Sequence, residues 1–152
     1  MSAVEDRLAE LGLAVPDVAK PVATYVPAVR SGNHVFTSGQ LPMRSGELMG
    51  TGKVGGEVSP EDAATYAQQC ALNAIAAVKA EIGDLDQVKR VVKVVCFVAS
   101  TPDFTGQPKV ANGASELLGT AFGDAGVHAR SAVGVSVLPL DAPVEVEIVV
   151  EV

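Results

Sequence analysis

The sequence contains no tryptophan, only 4% aromatic residues, and two cysteines among 152 residues. Charged residues reach only 19% and hydrophobic residues 48%, against roughly 25% charged residues in an average domain. A disordered chain is therefore excluded, because disorder requires low hydrophobicity and high charge. A chain of this length buries roughly 70% of its unfolded surface, so it needs no disulfide or metal to fold as one domain. Since little charge is left to cover a free surface, we expect contact with other copies of the chain.

Positive charge is scarce as well. The net charge is −7, which argues against binding to a nucleic-acid backbone. The first residues include Glu5 and Asp6 and lack the apolar segment of a signal peptide. No apolar run is long enough to span a bilayer, so we expect no membrane partner and a cytoplasmic location. Cys70 and Cys96 lie in apolar segments without a CxxC pair, which predicts buried free thiols in a reducing compartment.

Hydrophobic spacing predicts three helices, of which the first is short. Residues 3–13 carry their apolar side chains on one face and form an amphipathic helix that ends at Gly12. Residues 14–24 contain two prolines and are interpreted as an extended arm. Residues 107–122 predict a helix that ends at Gly123.

The strongest helix signal begins at Ser59. Asp62 completes a capping-box-like start, and Gly83 follows the last apolar position at helical spacing. The opposite face of this helix, which includes Gln69 and Lys79, is expected to be solvated.

Strands are predicted where β-branched and apolar residues cluster: residues 25–29, 34–38, 91–99, 129–138 and 144–152. The first two flank a turn at residues 30–33, and a Gly-rich loop follows at residues 43–56. The third is almost continuously apolar, which is typical of a central strand covered on both faces. The last two are expected to form a hairpin through residues 139–143. This order of elements predicts an α+β sandwich, with two main helices on one face of a mixed sheet.

The expected hairpin would gather the polar residues of both its strands on one face. If its register keeps the parity of a Leu138–Pro143 pair, Arg130 shares a face with Glu145 and two further glutamates. Small residues beside Arg130, Ala132 among them, leave space for a ligand or a neighbouring chain. The alternative is a plain charge pair between Arg130 and a glutamate across the strands.

The other candidate motifs lack the sequence context that their function requires. Residues 50–55 spell GxGxxG, but further glycines follow where a helix would have to begin. His34 and His128 lack the spacing of a metal site and are interpreted as turn or strand-end residues. Ser38 does not lie in a GxSxG elbow. We therefore expect neither a metal nor a phosphate-binding loop.

Several short motifs occur together in one order: Asn33, Thr37-Ser38-Gly39-Gln40-Leu41-Pro42, the helix from Ser59, Ala129-Arg130-Ser131-Ala132-Val133, and Leu138-Pro139. This combination resembles the RidA/YjgF family, whose members are also called L-PSP endoribonucleases or reactive-intermediate deaminases. The resemblance spans about residues 22–152, which leaves residues 1–21 as an additional N-terminal helix and arm. It implies a chorismate-mutase-like α+β fold assembled as a homotrimer, with clefts between the subunits.

The resemblance also implies roles for individual residues. Arg130 would grip the carboxylate of a 2-imino or 2-enamino acid, because a planar guanidinium binds a carboxylate through two hydrogen bonds. Glu145 would orient the attacking water. The remaining substrate-binding positions implied are Tyr25, Gly39, Asn112 and Ala132, the last replacing a cysteine of the deaminase-type members. The chemistry requires no metal and no organic cofactor.

Three functions follow as hypotheses. The first is an imine deaminase that converts reactive 2-imino acids to 2-oxo acids and ammonia. The second is a non-catalytic module that binds or senses 2-oxo acids in the same clefts, which Ala132 and the N-terminal extension motivate. The third is a ribonuclease or translation inhibitor, which the net charge of −7 disfavours.

Overall fold

A five-stranded mixed sheet carries two long helices on one face, in a computed structural model that describes residues 1–21 and 23–152. The strands are β1 (Ala28–Ser31), β2 (His34–Thr37), β5 (Arg90–Ala99), β6 (Ala129–Val135) and β7 (Val144–Glu151), and a separate small hairpin holds β3 (Met43–Arg44) and β4 (Glu47–Leu48). The sheet order is β1-β2-β7-β5-β6, and only β5 and β6 are parallel. The helices are α1 (Ala3–Glu10), α2 (Pro60–Ile82) and α3 (Gln107–Phe122). The predicted α+β class is confirmed.

The two main helices begin and end where their capping residues predict. Ser59 Oγ accepts a hydrogen bond of 3.1 Å from the backbone N–H of Asp62, and Gly83 follows α2 with a φ of +84°. The helices pack closely at Gly113, where a Cβ atom would lie 1.9 Å from the Ala64 carbonyl oxygen. Only glycine fits there, so α3 lies directly against the backbone of α2.

The predicted solvated face of α2 is wrong at Gln69. This side chain is buried and donates to Asn73 Oδ1 at 3.1 Å. Asn73 in turn donates to the carbonyls of Leu41 and Met43, at 3.0 and 2.9 Å. The polar pair therefore anchors the segment that leads into the β3–β4 hairpin, which the sequence predicted as loop.

The N-terminal helix forms within the residues predicted for it. In α1, Val4 and Leu8 are buried in the same core as the sheet, and Glu5 forms an ion pair with Lys79 of α2. The β1–β2 hairpin turns at residues 32–33, two residues rather than the predicted four. The predicted domain boundary at residue 22 lies outside the described residues.

The predicted hairpin between the last two strands is wrong. β5 lies between β6 and β7, so that Val94 pairs with Arg130 on one side and with Ile148 on the other. The helix α3 connects β5 to β6 and allows them to run parallel, as a strand–helix–strand crossover requires. The inserted strand also changes which residues of β6 and β7 lie on the same face of the sheet.

Paired residues of neighbouring strands point to the same side of a sheet. Arg130, Ala132 and Gly134 therefore lie on the face covered by α2 and α3, which we call the helix face. Glu145 and Glu147 lie on the opposite face, which we call the open face. On the open face, Val95 and Phe97 of β5 are only partly buried, whereas Ala99 at the end of the strand is fully buried in a second apolar cluster with Leu41 and Leu138. Within the described part of the single chain, the expected cover on both faces is therefore complete on the helix face and only partial on the open face.

Candidate functional site

Glu145 lies near the start of β7 on the open face, opposite Phe97 of β5. Its side chain is half-buried. Burial raises the pKa of the Glu145 carboxyl, and the neighbouring negative charge of Glu147 raises that pKa further. A carboxyl with a raised pKa holds a proton more readily than an exposed one, which suits it to accepting and releasing protons.

The segment that follows β2 contains a bulge where it passes Glu145. β2 follows β7 up to the pair Phe36–Val149, and Gln40 rejoins it through backbone hydrogen bonds of 2.8 and 3.0 Å with Val146. The segment carries one residue more than the stretch of β7 that it faces, as in a β-bulge. Thr37 Oγ1 fills the gap by accepting the N–H of Ile148 at 3.0 Å.

Gly39 lies in this bulge, directly against the Glu145 carboxylate. A Cβ atom at Gly39 would lie 2.6 Å from Glu145 Oε2. The absence of a side chain at Gly39 therefore lets the carboxylate lie against the backbone.

Tyr25 completes this group, because Tyr25, Gly39 and Glu145 all line one cavity of about 80 Å³. Tyr25 was predicted to begin the first strand, but β1 begins at Ala28, so Tyr25 precedes it. Lys20 of the N-terminal arm lines the same cavity and was not among the predicted site residues. The arm is thus one wall of the Glu145 cavity.

Arg130 forms a second group, on the helix face at the edge strand β6. Its Nη1 donates to Asn112 Oδ1 at 2.8 Å and to Ser115 Oγ at 3.2 Å, and its Nη2 donates to the Pro108 carbonyl at 3.4 Å. Asn112, which the resemblance implies as a substrate-binding residue, thus lies beside Arg130. All three partners belong to α3 and are neutral.

The guanidinium of Arg130 has no carboxylate partner among the described residues, where the ion pair found is that of Glu5 with Lys79. The alternative of a plain Arg130–glutamate pair across the strands is therefore wrong. Three of its five N–H groups are engaged, which leaves Nε–H and one Nη2–H without a partner in this part of the chain. Two N–H groups on adjacent nitrogens are what a carboxylate needs for bidentate binding.

Ala132 follows Arg130 on the same face and pairs with Cys96. It packs against the main core and is only partly buried. It therefore lies next to the Arg130 group on the helix face. Cys70 and Cys96 are buried free thiols, as predicted. Burial raises the pKa of Cys96 to about 12 even though the positive charge of Arg130 acts in the opposite sense.

Ser115 and His128 are members of the Arg130 group that the sequence analysis missed. His128 Nε2 lies 2.9 Å from Ser115 Oγ, and its Nδ1 lies 2.6 Å from the Gly126 carbonyl oxygen. A signal was present in the sequence, because His128 precedes Arg130 by two residues and alternate strand residues share a face.

The two groups are far apart within one chain, which corrects the expectation that Arg130 shares a face with Glu145. The two residues lie on opposite faces of the sheet with β5 between their strands. Two strand spacings separate them by about 10 Å across the sheet, and the register adds about 10 Å along it. A substrate of a few carbon atoms cannot touch both side chains of one copy.

The open face presents apolar side chains as well as the acidic ones. Val29, Phe36 and Val133 lie on this face with 53%, 47% and 45% of their surface exposed. Large apolar side chains left exposed on one face of a sheet are typical of a contact face in soluble proteins. No helix among the described residues has the length and apolar character to cross a membrane, and no group of three His, Cys, Asp or Glu side chains in residues 1–21 and 23–152 could hold a metal ion.

Comparison with known proteins gives matches over nearly the whole chain. Residues 5–152 match the family model described as "YjgF/chorismate_mutase-like, putative endoribonuclease". The chain is 45% identical over 149 residues to Protein TCP17 of Trypanosoma cruzi, covering 97% of this chain and 93% of that protein. It is 34% identical over 140 residues to a 2-iminobutanoate/2-iminopropanoate deaminase of Dermatophagoides farinae, covering 91% and 93%. The crystal structure of Atu1372 from Agrobacterium tumefaciens, a protein of unknown function, superposes with a TM-score of 0.93 at 47% identity, covering 99% of this chain and 92% of that one.

Proposed function

Because the chain belongs to the YjgF/chorismate mutase-like family, we propose that it hydrolyses reactive 2-imino and 2-enamino acids to 2-oxo acids and ammonia. The observation that carries the proposal is the Arg130 guanidinium, which neutral acceptors hold in place and no carboxylate of the described residues neutralises. Such a group is prepared to bind a substrate carboxylate. The identity to a deaminase of this substrate class supports the same reaction. We propose a cytoplasmic location for this activity, as the sequence predicts.

The reaction needs one binding group and one proton carrier. Arg130 binds the carboxylate, and an enamino acid first becomes the imine by losing a proton from its nitrogen and gaining one at C3. A water attacks C2, and Glu145 accepts a proton of that water as the C–O bond forms. Glu145 passes this proton to the nitrogen, which becomes an amine. The C–N bond then breaks as the proton of the remaining hydroxyl moves to the leaving nitrogen, which gives ammonia and the carbonyl of the 2-oxo acid.

We propose further that Arg130 and Glu145 act on one substrate from two different copies of the chain, in a homotrimer. One copy cannot bring both groups to a small molecule, because they lie on opposite faces with β5 between their strands. The exposed apolar side chains of the open face, Phe36 and Val133 among them, support an interface on that side. Clefts at such interfaces would join the Arg130 group of one copy to the Glu145 group of the next.

The test is turnover of 2-iminopropanoate generated in situ by an amino-acid oxidase, with semicarbazide trapping the imine that escapes hydrolysis. We expect the wild-type protein to lower the yield of trapped product and to speed ammonia release. Arg130→Ala should raise KM at least about tenfold, since it removes charged hydrogen bonds to the substrate. Arg30→Ala is the matched control, because Arg30 is an exposed arginine whose Nε donates to the Gly32 carbonyl.

Other outcomes identify the other functions. Calorimetric binding of 2-oxobutanoate that depends on Arg130, without any turnover by the wild-type protein, would replace the deaminase by the non-catalytic binding module. Cleavage of RNA that copurifies with the trimer and is lost in Arg130→Ala would favour the ribonuclease. Full turnover by Arg130→Ala would refute the assignment of the carboxylate site.

A further inference from the structure

We propose that His128 is a positioning residue for Arg130 and acts through the hydroxyl of Ser115. This inference rests on the proposed function, because it assumes that Arg130 binds the substrate carboxylate. The three side chains form one continuous chain of contacts, from His128 Nε2 to Ser115 Oγ at 2.9 Å and from Ser115 Oγ to Arg130 Nη1 at 3.2 Å. His128 itself is too far along this chain to be a ligand of the carboxylate.

The direction of each hydrogen bond follows from the chemistry of the partners. The Gly126 carbonyl, 2.6 Å from His128 Nδ1, can only accept, so Nδ1 carries the proton of the imidazole. In a neutral imidazole the other nitrogen, Nε2, is then an acceptor. Ser115 must therefore donate its hydroxyl proton to His128 Nε2. This leaves the lone pairs of Ser115 Oγ for Arg130, which can only donate.

The consequence is a fixed orientation of the guanidinium. Both N–H groups of Nη1 are engaged, one by Asn112 and one by Ser115. Asn112 is exposed, and the third contact, with the Pro108 carbonyl, is long at 3.4 Å. Ser115 is thus the partly buried anchor, and His128 prevents its hydroxyl from turning away. With Nη1 held in this way, Nε–H and the remaining Nη2–H stay directed at the ligand.

His128 could instead serve only to hold the start of β6 through Gly126. The two roles differ in which ring nitrogen matters. A glutamine at position 128 can place an amide oxygen near the Nε2 position and accept from Ser115. An asparagine is one bond shorter and can replace only the Nδ1 contact with Gly126.

The experiment compares the steady-state kinetics of His128→Leu, His128→Gln and His128→Asn in the full chain. We expect His128→Leu and His128→Asn to raise KM for 2-iminopropanoate about fivefold with kcat within about twofold, and His128→Gln to restore KM. His34→Gln alters the other histidine of the sequence and should leave both constants unchanged. A fall in kcat without a change in KM, or equal behaviour of all three variants, would overturn the inference.

A double-mutant cycle shows whether His128 acts through Ser115. We expect Ser115→Ala to raise KM as much as His128→Leu and the double variant to be no worse than Ser115→Ala alone. Additive effects would contradict the inference. Nitrogen NMR of the wild-type imidazole at pH 8.5 gives a readout without substrate, and the expected signal is the Nδ1–H tautomer. A protonated Nε2 would overturn it.

Failure of this inference differs from failure of the proposed function. If the wild-type protein turns over the imine or binds 2-oxobutanoate while the His128 variants match it, only the positioning role is refuted. If the wild-type protein neither turns over imines nor binds 2-oxo acids, the carboxylate site itself is wrong and this inference is refuted with it.

Discussion

The carboxylate of Glu145 rests on the backbone of Gly39, so closely that a Cβ atom at Gly39 would lie 2.6 Å from Oε2 and 2.7 Å from Cδ of the glutamate. The atoms in the way are the far end of a flexible side chain and not backbone. A small side chain at position 39 would therefore push the carboxylate aside without unfolding the segment. This contact links the Thr37–Gln40 bulge to the reacting group.

Gly39→Ala should separate activity from stability. We expect kcat for imine hydrolysis to fall about tenfold or more, because the displaced carboxylate no longer holds the attacking water in place. The melting temperature should change by only a few degrees. Gly119→Ala is the matched control, since a Cβ atom there meets nothing within 4 Å. Unchanged turnover in Gly39→Ala would remove Glu145 from the reaction.

The pH–rate profile should report the raised pKa of Glu145. The carboxyl must be ionised to accept a proton, so kcat/KM falls as the pH drops through its pKa, which lies above the ordinary 4.5. Glu147→Gln removes a like charge and should move this acidic limb to lower pH. Glu151→Gln, on the same strand, should leave it in place. A limb that does not move in Glu147→Gln would contradict the assignment.

A mixture of two inactive variants should recover activity if each site spans two copies. Arg130→Ala and Glu145→Gln each spoil every site when alone. Co-refolded in equal amounts into trimers, they should restore about a quarter of the wild-type sites, since half of the copies supply each intact group. Sizing by light scattering establishes whether the trimer forms. A co-refolded trimer without recovered activity would contradict a site shared between two copies.

Acid should destabilise the protein partly through Glu5. The hydrogen bond from Lys79, assisted by two from Ser2, lowers the pKa of Glu5 from 4.5 to about 2. The folded state therefore binds fewer protons than the unfolded state between these values, and stability is lost as the pH falls through this window. Urea unfolding at pH 6 and pH 3 should show a loss smaller by about 1 kcal/mol in Glu5→Gln than in the wild type. Glu10→Gln, at an exposed residue of the same helix, should behave as the wild type.

Close packing of α2 on α3 predicts a large effect at Gly113. A Cβ atom there would lie 1.9 Å from the Ala64 carbonyl oxygen, which is backbone and cannot move aside cheaply. Gly113→Ala should lower the free energy of unfolding by about 3 kcal/mol. Gly119→Ala, in the same helix but with open space, should raise it by up to about 1 kcal/mol. Equal stability of the two variants would argue against the close contact.

The helices could be predicted from the sequence because their signals are local. Ser59, Pro60 and Gly83 mark the ends of α2, and the spacing of apolar residues gives its buried face. The burial of Gln69 could not be predicted, because its partner Asn73 reaches carbonyls 30 and 32 residues away in sequence. Polar side chains are buried wherever the fold supplies partners, and that depends on tertiary contacts.

The arrangement of the candidate site differs from the predicted one. The family resemblance implied roles for Arg130 and Glu145, which stay predictions, and the parity argument put these two residues on one face. That argument assumed that consecutive strands pair, and β5 was inserted between them. The order strand, helix, strand from β5 to β6 was the available signal, because such units favour parallel pairing.

The burial of the two cysteine sulfur atoms has a consequence under the function proposed above. Cys70 and Cys96 are the only cysteines of the sequence, and burial raises the pKa of both thiols, that of Cys96 to about 12. Thiolates are the side-chain groups that react most readily with electrophiles and oxidants. With so small a thiolate fraction, neither cysteine would be readily alkylated by a reactive imine or enamine, and neither would be readily oxidised.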